Sequence, residues 1–168
     1  MMDGIRFTEL LDYSDEETRR WKRWFALNPA ALGLPVDVAG AGTVRKLVMH
    51  IFLVERHFAN AVTGGPASFE QSRKDAEKDP PAELDEIFRI SEEASQKYRE
   101  FLARATPEDL ATVLNLSSRM ELKASKRKMI VQALTHTMRH WAQLATFLRQ
   151  QGMKQDWVHD FLMSKVMD

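Results

Sequence analysis

The sequence predicts an all-α protein: a four-helix bundle with long connections and a tail able to form a short C-terminal helix. Three observations carry that prediction. Apolar residues recur at helical spacing in four long segments. Strand-like alternation is scarce. The seven glycines and six prolines fall mostly between the periodic segments, where turn chemistry belongs. A length of 168 residues with 44% hydrophobic residues suits one domain spanning 1–168 with a full core.

The elements follow in order. "YSDEETRRWKRWFALNP" reads as the first helix, with Ser14 as N-cap, Glu17 completing a capping box, and Asn28-Pro29 as the stop. Trp21, Trp24, Phe25 and Leu27 form its apolar side. "AALGLPVDVAGAG" is a connection. "TVRKLVMHIFLVERHFANAVTGG" is the second helix, capped by Thr43 and stopped by Gly64-Gly65. Its broad apolar arc (Leu47, Phe52, Val54, Phe58, Val62) marks it as well buried. "PASFEQSRKDAEKDPP" is a polar stretch with room for one helical turn.

The third helix is "PAELDEIFRISEEASQKYREFLARA", with Pro81 in its first turn. Thr106-Pro107 breaks the chain, and "ATVLNLSSRMELKAS" reads as extended or loop. The last long helix runs from about Ser125 to Gln151, with Gly152 as its stop. Met129, Ile130, Ala133, Leu134, Thr137, Trp141, Leu144, Ala145 and Leu148 make its apolar face. The tail "QDWVHDFLMSKVMD" holds the segment that can form a fifth helix.

Composition excludes several function classes. Lys+Arg and Asp+Glu both number 24, so there is no general electrostatic grip on nucleic acid or on an anionic membrane. There is no cysteine, hence no disulfide, thiolate ligand or cysteine nucleophile. No early segment has signal-peptide architecture and no apolar run spans a bilayer, so a cytoplasmic protein is expected.

The chemistry-bearing feature is "LTHTMRHW". His136 and His140 stand four apart, separated by only about 40° around the helix, so one ion can reach both. Neutral imidazole is a common ligand for zinc, nickel and similar metals. Two ligands rarely suffice, and His50, on the second helix, is the candidate third; three histidines with an open position is the layout of a catalytic zinc-type site. H-x-x-x-H pairs also arise by chance, and a histidine on a buried helix is often a hydrogen-bonded core residue. The residues alone leave both readings open. The glutamate of H-E-x-x-H is missing, Thr137 and Met138 standing there, which argues against a zincin protease.

Facing does not separate His50 from His57, seven residues on. Depth favours His50, which sits among Leu47, Val48, Met49, Ile51 and Phe52, whereas Arg56 and Asn60 suggest that His57 approaches solvent. Glu55 and Arg56 read as helix-rim residues, and Glu55 is a candidate partner supporting the ligands. His159 reads as a surface residue. Lys123, Lys126, Arg127 and Lys128 crowd the start of the last helix, where an anion or a neighbour such as Glu121 would relieve their conflict with the helix dipole. Trp157, Phe161, Leu162 and Val166 cap the bundle or meet a second subunit, so a homodimer is expected.

Two stretches resemble a known family. "LVMHIFLVERHFANAVTGG" is similar to the second helix of DinB-like proteins, and "ALTHTMRHWAQLATFLRQQG" to their last bundle helix, with H-x-x-x-H, a glutamine and a leucine-arginine run ending in glycine. The order of elements agrees over residues 7 to 152. The resemblance implies a bundle of the DinB-like type with a divalent metal on His50, His136 and His140, and matches Gln143 to the glutamine after the second histidine. It also implies a thiol-dependent S-transferase, or a relative of the mycothiol-dependent maleylpyruvate isomerase, acting on a small-molecule substrate with a low-molecular-weight thiol. Where many members have H-R-G-Q, this chain has His140-Trp141-Ala142-Gln143, and Trp141 is expected in the core. The alternatives are a metal- or ligand-binding module without turnover and a dimeric bundle whose histidines only pack.

Overall fold

The computed structural model describes residues 6–65, 74, 78–117 and 121–167. Four long helices, α1 (Phe7–Leu27), α2 (Val44–Val62), α3 (Leu84–Leu102) and α5 (Lys126–Gln150), form the bundle, with a five-residue α4 (Pro107–Ala111) between the last two. α2 packs against α3 and α5, and α1 packs against the same two from the other side. The order around the bundle is therefore α1, α3, α2, α5, and α1 faces α2 across the diagonal.

Diagonal crossings need long connections, and this is where the small β structure lies. After α1, a 3-10 turn (Pro29–Gly33) leads into two-residue strands β1 (Pro35–Val36) and β2 (Gly42–Thr43), paired antiparallel. After α3, α4 is followed by β3 (Val113–Ser117) and β4 (Leu122–Ser125), also antiparallel. The segment left open between extended and loop is thus a hairpin. Its register shifts between Asn115 and Ser117, which explains the absence of clean alternation.

Helix ends follow local chemistry. Thr43 accepts from the backbone N–H of Lys46, the cap the sequence placed there, and Ser125, where the last helix was expected to start, accepts from that of Lys128 and caps it. Gly64 at φ 91° and Gly152 at φ 78° follow α2 and α5, in the left-handed region that glycine adopts without a Cβ penalty.

Two starts differ from expectation. α1 begins at Phe7, seven residues before Ser14. The Glu9 carboxylate accepts from the Arg6 N–H at 2.7 Å and secures the first turn. Ser14 and Glu17 are buried inside this helix and cap nothing. α3 begins at Leu84, so Pro81 precedes the helix, and the Pro81 and Ala82 carbonyls accept from Arg45. The helical turn expected within 66–81 falls largely outside the described residues. Leu27, assigned to the apolar side of α1, is 83% exposed because it is the last residue before the Asn28 cap.

The core is aromatic at one end. Trp21 is fully buried, stacks on Trp141 (centroids 5.1 Å, 19°) and meets Trp24 and Phe25. Trp141 is thus in the core, as expected. The tail contains only a 3-10 turn at Phe161–Met163 in place of a fifth helix. It lies along α1: Trp157 and His159 both donate to Glu17 Oε2 (3.3 and 2.7 Å), His159 stacks on Trp21, and Phe161 meets Tyr13 edge-on. Glu17 also accepts from Arg20. Burial pushes the Glu17 carboxyl up and these donors pull it down, with a net lowering. His159, read as a surface residue, is held between α1 and the tail. Among the described residues, no helix is long and apolar enough to cross a membrane.

Removing the central ring should be costly. Trp21→Ala is expected to lower the unfolding free energy by about 3–5 kcal/mol, read by urea denaturation. A loss below about 1 kcal/mol would show that the aromatic stack is not part of the cooperative core.

Candidate metal centre

α2 and α5 are neighbours in the bundle, and this brings residues far apart in sequence to one point. His50 Nε2 lies 3.2 Å from His136 Nε2, which lies 3.1 Å from His140 Nε2. One ring nitrogen from each histidine lies within 4.8 Å of the other two. His136 and His140 are buried and His50 is half-buried, so the cluster is set into the bundle with one side towards solvent.

Proton placement decides what these rings can do. His140 Nδ1 lies 2.7 Å from Gln143 Oε1. With the N–H on Nδ1 donated to that oxygen, His140 Nε2 presents a lone pair to the cluster. Burial is the first cause pushing all three imidazoles below their ordinary range. Neighbouring His140 and then Arg139 add to it at His50. At His136 the charges of His140, His50 and Arg139 contribute, and its pKa falls to about 3. At His140, Gln143 pulls the other way and Arg139 lowers again. All three rings are therefore neutral near pH 7, the form that binds metal.

Three neutral rings facing one another form a poor hydrogen-bonding set. His136 Nε2 faces two other ring nitrogens, and its buried Nδ1 has no protein partner. A shared cation suits them better. Metal–nitrogen bonds of about 2.0–2.1 Å in tetrahedral geometry put ligand nitrogens about 3.3 Å apart. The observed 3.1 and 3.2 Å spacings are close to that. The residues present can hold one divalent metal ion.

The structure corrects the depth argument used to choose between His50 and His57. His57 is the more buried of the two, 8% exposed, with its ring edge-on to Phe58. His50 lies nearer the solvent. His50 meets the α5 histidines because of where it lies along α2, not because it is deeper.

Glu55 is likewise not at the helix rim. It is buried between α2, α3 and α5, with Ser91 Oγ donating to Oε2 (2.6 Å) and Thr137 Oγ1 donating to Oε1 (2.7 Å). Tyr98 donates to its backbone carbonyl at 3.0 Å. Glu55 therefore engages the residue next to His136, whereas Gln143 bonds the His140 ring. Sequence reasoning missed Ser91 and Tyr98. The one available signal was Thr137, a hydroxyl inside an otherwise apolar stripe. Of the basic cluster, the Lys126 ammonium lies over the Phe101 ring at 5.1 Å, and Lys123, Arg127 and Lys128 are exposed. The eight residues from Lys128 to His136 span about 12 Å of helix, so the cluster lies away from the histidines.

Burial raises the Glu55 pKa to about 7 from 4.5, the two hydroxyl donors pulling it down only in part. The folded state therefore holds this proton more tightly than the unfolded chain does. That contribution to stability is complete below about pH 4.5 and is lost as pH rises through about 7, a change of about 3 kcal/mol. Glu55→Gln cannot ionise and should lack it. Between pH 4.5 and 8, the unfolding free energy of the wild type is expected to fall by about 3 kcal/mol relative to the variant. A pH-independent difference in denaturation experiments would contradict this.

The sequence model of the DinB family matches residues 1–165. A search among curated proteins returns no match. The family match runs over nearly the whole chain and agrees with the all-α bundle and its inward-facing histidines: the chain belongs to the DinB family.

Proposed function

We propose that this protein is a metal-dependent enzyme using a divalent ion, zinc or nickel, held by His50, His136 and His140, with small-molecule transfer involving a low-molecular-weight thiol as its reaction class. The observation that carries the reading is the convergence of three neutral imidazoles, 3.1 and 3.2 Å apart, in a family that is often metal-binding. Three protein ligands leave coordination room for a substrate. When bound, the ion supplies Lewis acidity, making a small thiol more acidic and polarising a carbonyl. The chain has no cysteine, so the thiol belongs to a cosubstrate.

The chain's own residues prepare the site. Gln143 fixes the tautomer and tilt of His140. The Glu55–Thr137 bond fixes α5 beside His136. Burial keeps the rings unprotonated over the neutral range. A module that binds metal without turnover would share these ligands. Thiol consumption in the presence of electrophiles separates the two: turnover that disappears with a chelator and returns with zinc or nickel supports the enzyme.

A homodimer accompanies this reading. Val158, Leu162, Met163 and Met167 of the tail are exposed, Leu162 at 87%, and association would cover them. Sedimentation is expected to show self-association, and a monomer at high concentration would remove the idea.

The metal assignment has its own test. Purification without chelator, then metal analysis, should give about one ion per chain. His50→Ala, His136→Ala and His140→Ala should each lose most of the affinity, and His57→Ala should keep it. Gln143→Ala should weaken binding about 10- to 100-fold. Circular dichroism establishes that each variant is folded. Substoichiometric metal that neither zinc nor nickel restores would overturn the assignment, as would loss of metal from His57→Ala alone.

A further inference from the structure

His136, Arg139, His140 and Gln143 follow one another at i, i+3, i+4 and i+7 on α5. At about 100° per residue they share an arc of about 100°, so they form one stripe along the helix. Thr137 lies off this stripe and bonds Glu55 in the core. The two histidines are buried, whereas Arg139 and Gln143 are exposed. The stripe therefore passes from the cluster to solvent at Arg139 and Gln143, and this side is its mouth.

Some arginines of the bundle are committed to carboxylates; Arg139 is not, and it is the arginine that stands on the histidine stripe. Arg20 is paired with Glu16 and Glu17, and Arg99 with Asp12 and Asp15. Among the described residues, no ion pair or hydrogen bond engages the Arg139 guanidinium. Its charge bears on His50, His136 and His140, and no carboxylate of the described residues counters it at any of the three rings. Three neutral ligands leave the charge of a divalent ion uncompensated, and Arg139 adds to it. A site carrying positive charge alone concentrates anions and orients them on arrival. A guanidinium offers a planar fork of donors matched to a carboxylate.

We propose that Arg139 docks a carboxylate of the substrate at the mouth of the three-histidine site, which makes the substrate an anionic small molecule. This rests on the metal reading above and deepens it. Binding at the Arg139–Gln143 edge would turn the remainder of such a molecule down the stripe towards His140 and His136. An arginine serving only as a solvated surface group would show no preference for acid over amide.

The test titrates full-length protein, zinc-loaded and metal-free, with succinate and with its neutral analogue succinamide. Calorimetry and the Gln143 side-chain amide resonance are the readouts. Zinc-loaded wild type is expected to bind succinate more tightly than succinamide, and more weakly as salt is added. Arg139→Gln should lose about tenfold or more of the succinate affinity. It should leave succinamide binding and zinc stoichiometry unchanged, and Arg139→Lys should fall between. Equal succinate binding by wild type and Arg139→Gln would overturn the proposal, as would equal binding of acid and amide by wild type. If zinc does not bind wild type, the ligand assignment fails separately. The metal-free titration then decides: an Arg139-dependent shift of the Gln143 resonance with succinate supports docking, and its absence rejects it.

Discussion

A buried carboxylate governs how α2 stands against α5. Glu55 belongs to α2, yet both its oxygens are occupied from outside that helix, by Ser91 of α3 and Thr137 of α5. A carboxylate in this position costs free energy whenever it is charged, and burial, with the charge of Asp15 adding to it, accounts for the rise towards 7. In return it specifies a register. Sliding α5 by one turn, about 5.4 Å, would leave Glu55 with an unpaired oxygen in a low-dielectric interior, where such a loss is severe. The same slide would separate His50 from His136. One polar contact thus holds the relative height of the two helices that carry the histidines, something the surrounding aliphatic contacts, tolerant of small shifts, specify less sharply.

The histidine cluster uses the opposite logic. Its rings are buried or half-buried without a counter-charge among the described residues, so desolvation keeps them neutral, and their lone pairs crowd together. Within the cluster, among the described residues, Gln143 is the side chain that commits a ring to a particular tautomer. The α1 side of the bundle contrasts with this. There Glu17 gathers Arg20, Trp157 and His159, so a carboxylate satisfied by several donors ties the tail to the helix. Both regions contain histidine, and among the described residues it is His159 that faces an acid.

Much of this was legible in the sequence where the signal was periodic. The apolar face of α5 from Met129 to Leu148, the cap Thr43, the start of α5 near Ser125 and the stops after α2 and α5 all stand where the sequence put them. The failures have physical causes. The start of α1 was hidden because Ser14 and Glu17 resemble a cap when only their types are read, while tertiary partners draw Glu17 inward. Glu55 looked exposed because a lone carboxylate on a helix usually is, and its hydroxyl partners come from α3 and α5, beyond the reach of any local pattern. His50 and His57 were ranked by their neighbours in sequence. Burial depends instead on what packs over a position, and here that reverses the order.

The diagonal placement of successive helices has a consequence for how the site comes into being. His50 and His136 are 86 residues apart in the chain, with α3, α4, β3 and β4 between them. During synthesis, the second and third histidines emerge long after the first, so no early fragment can assemble the cluster. Closing so long a loop slows the final docking of α5 and gains nothing until it is complete. An ion that needs all three rings would then bind only the finished bundle and shift its folding equilibrium by mass action. Uptake of the ion would act as a checkpoint late in maturation, reporting that the last helix has docked.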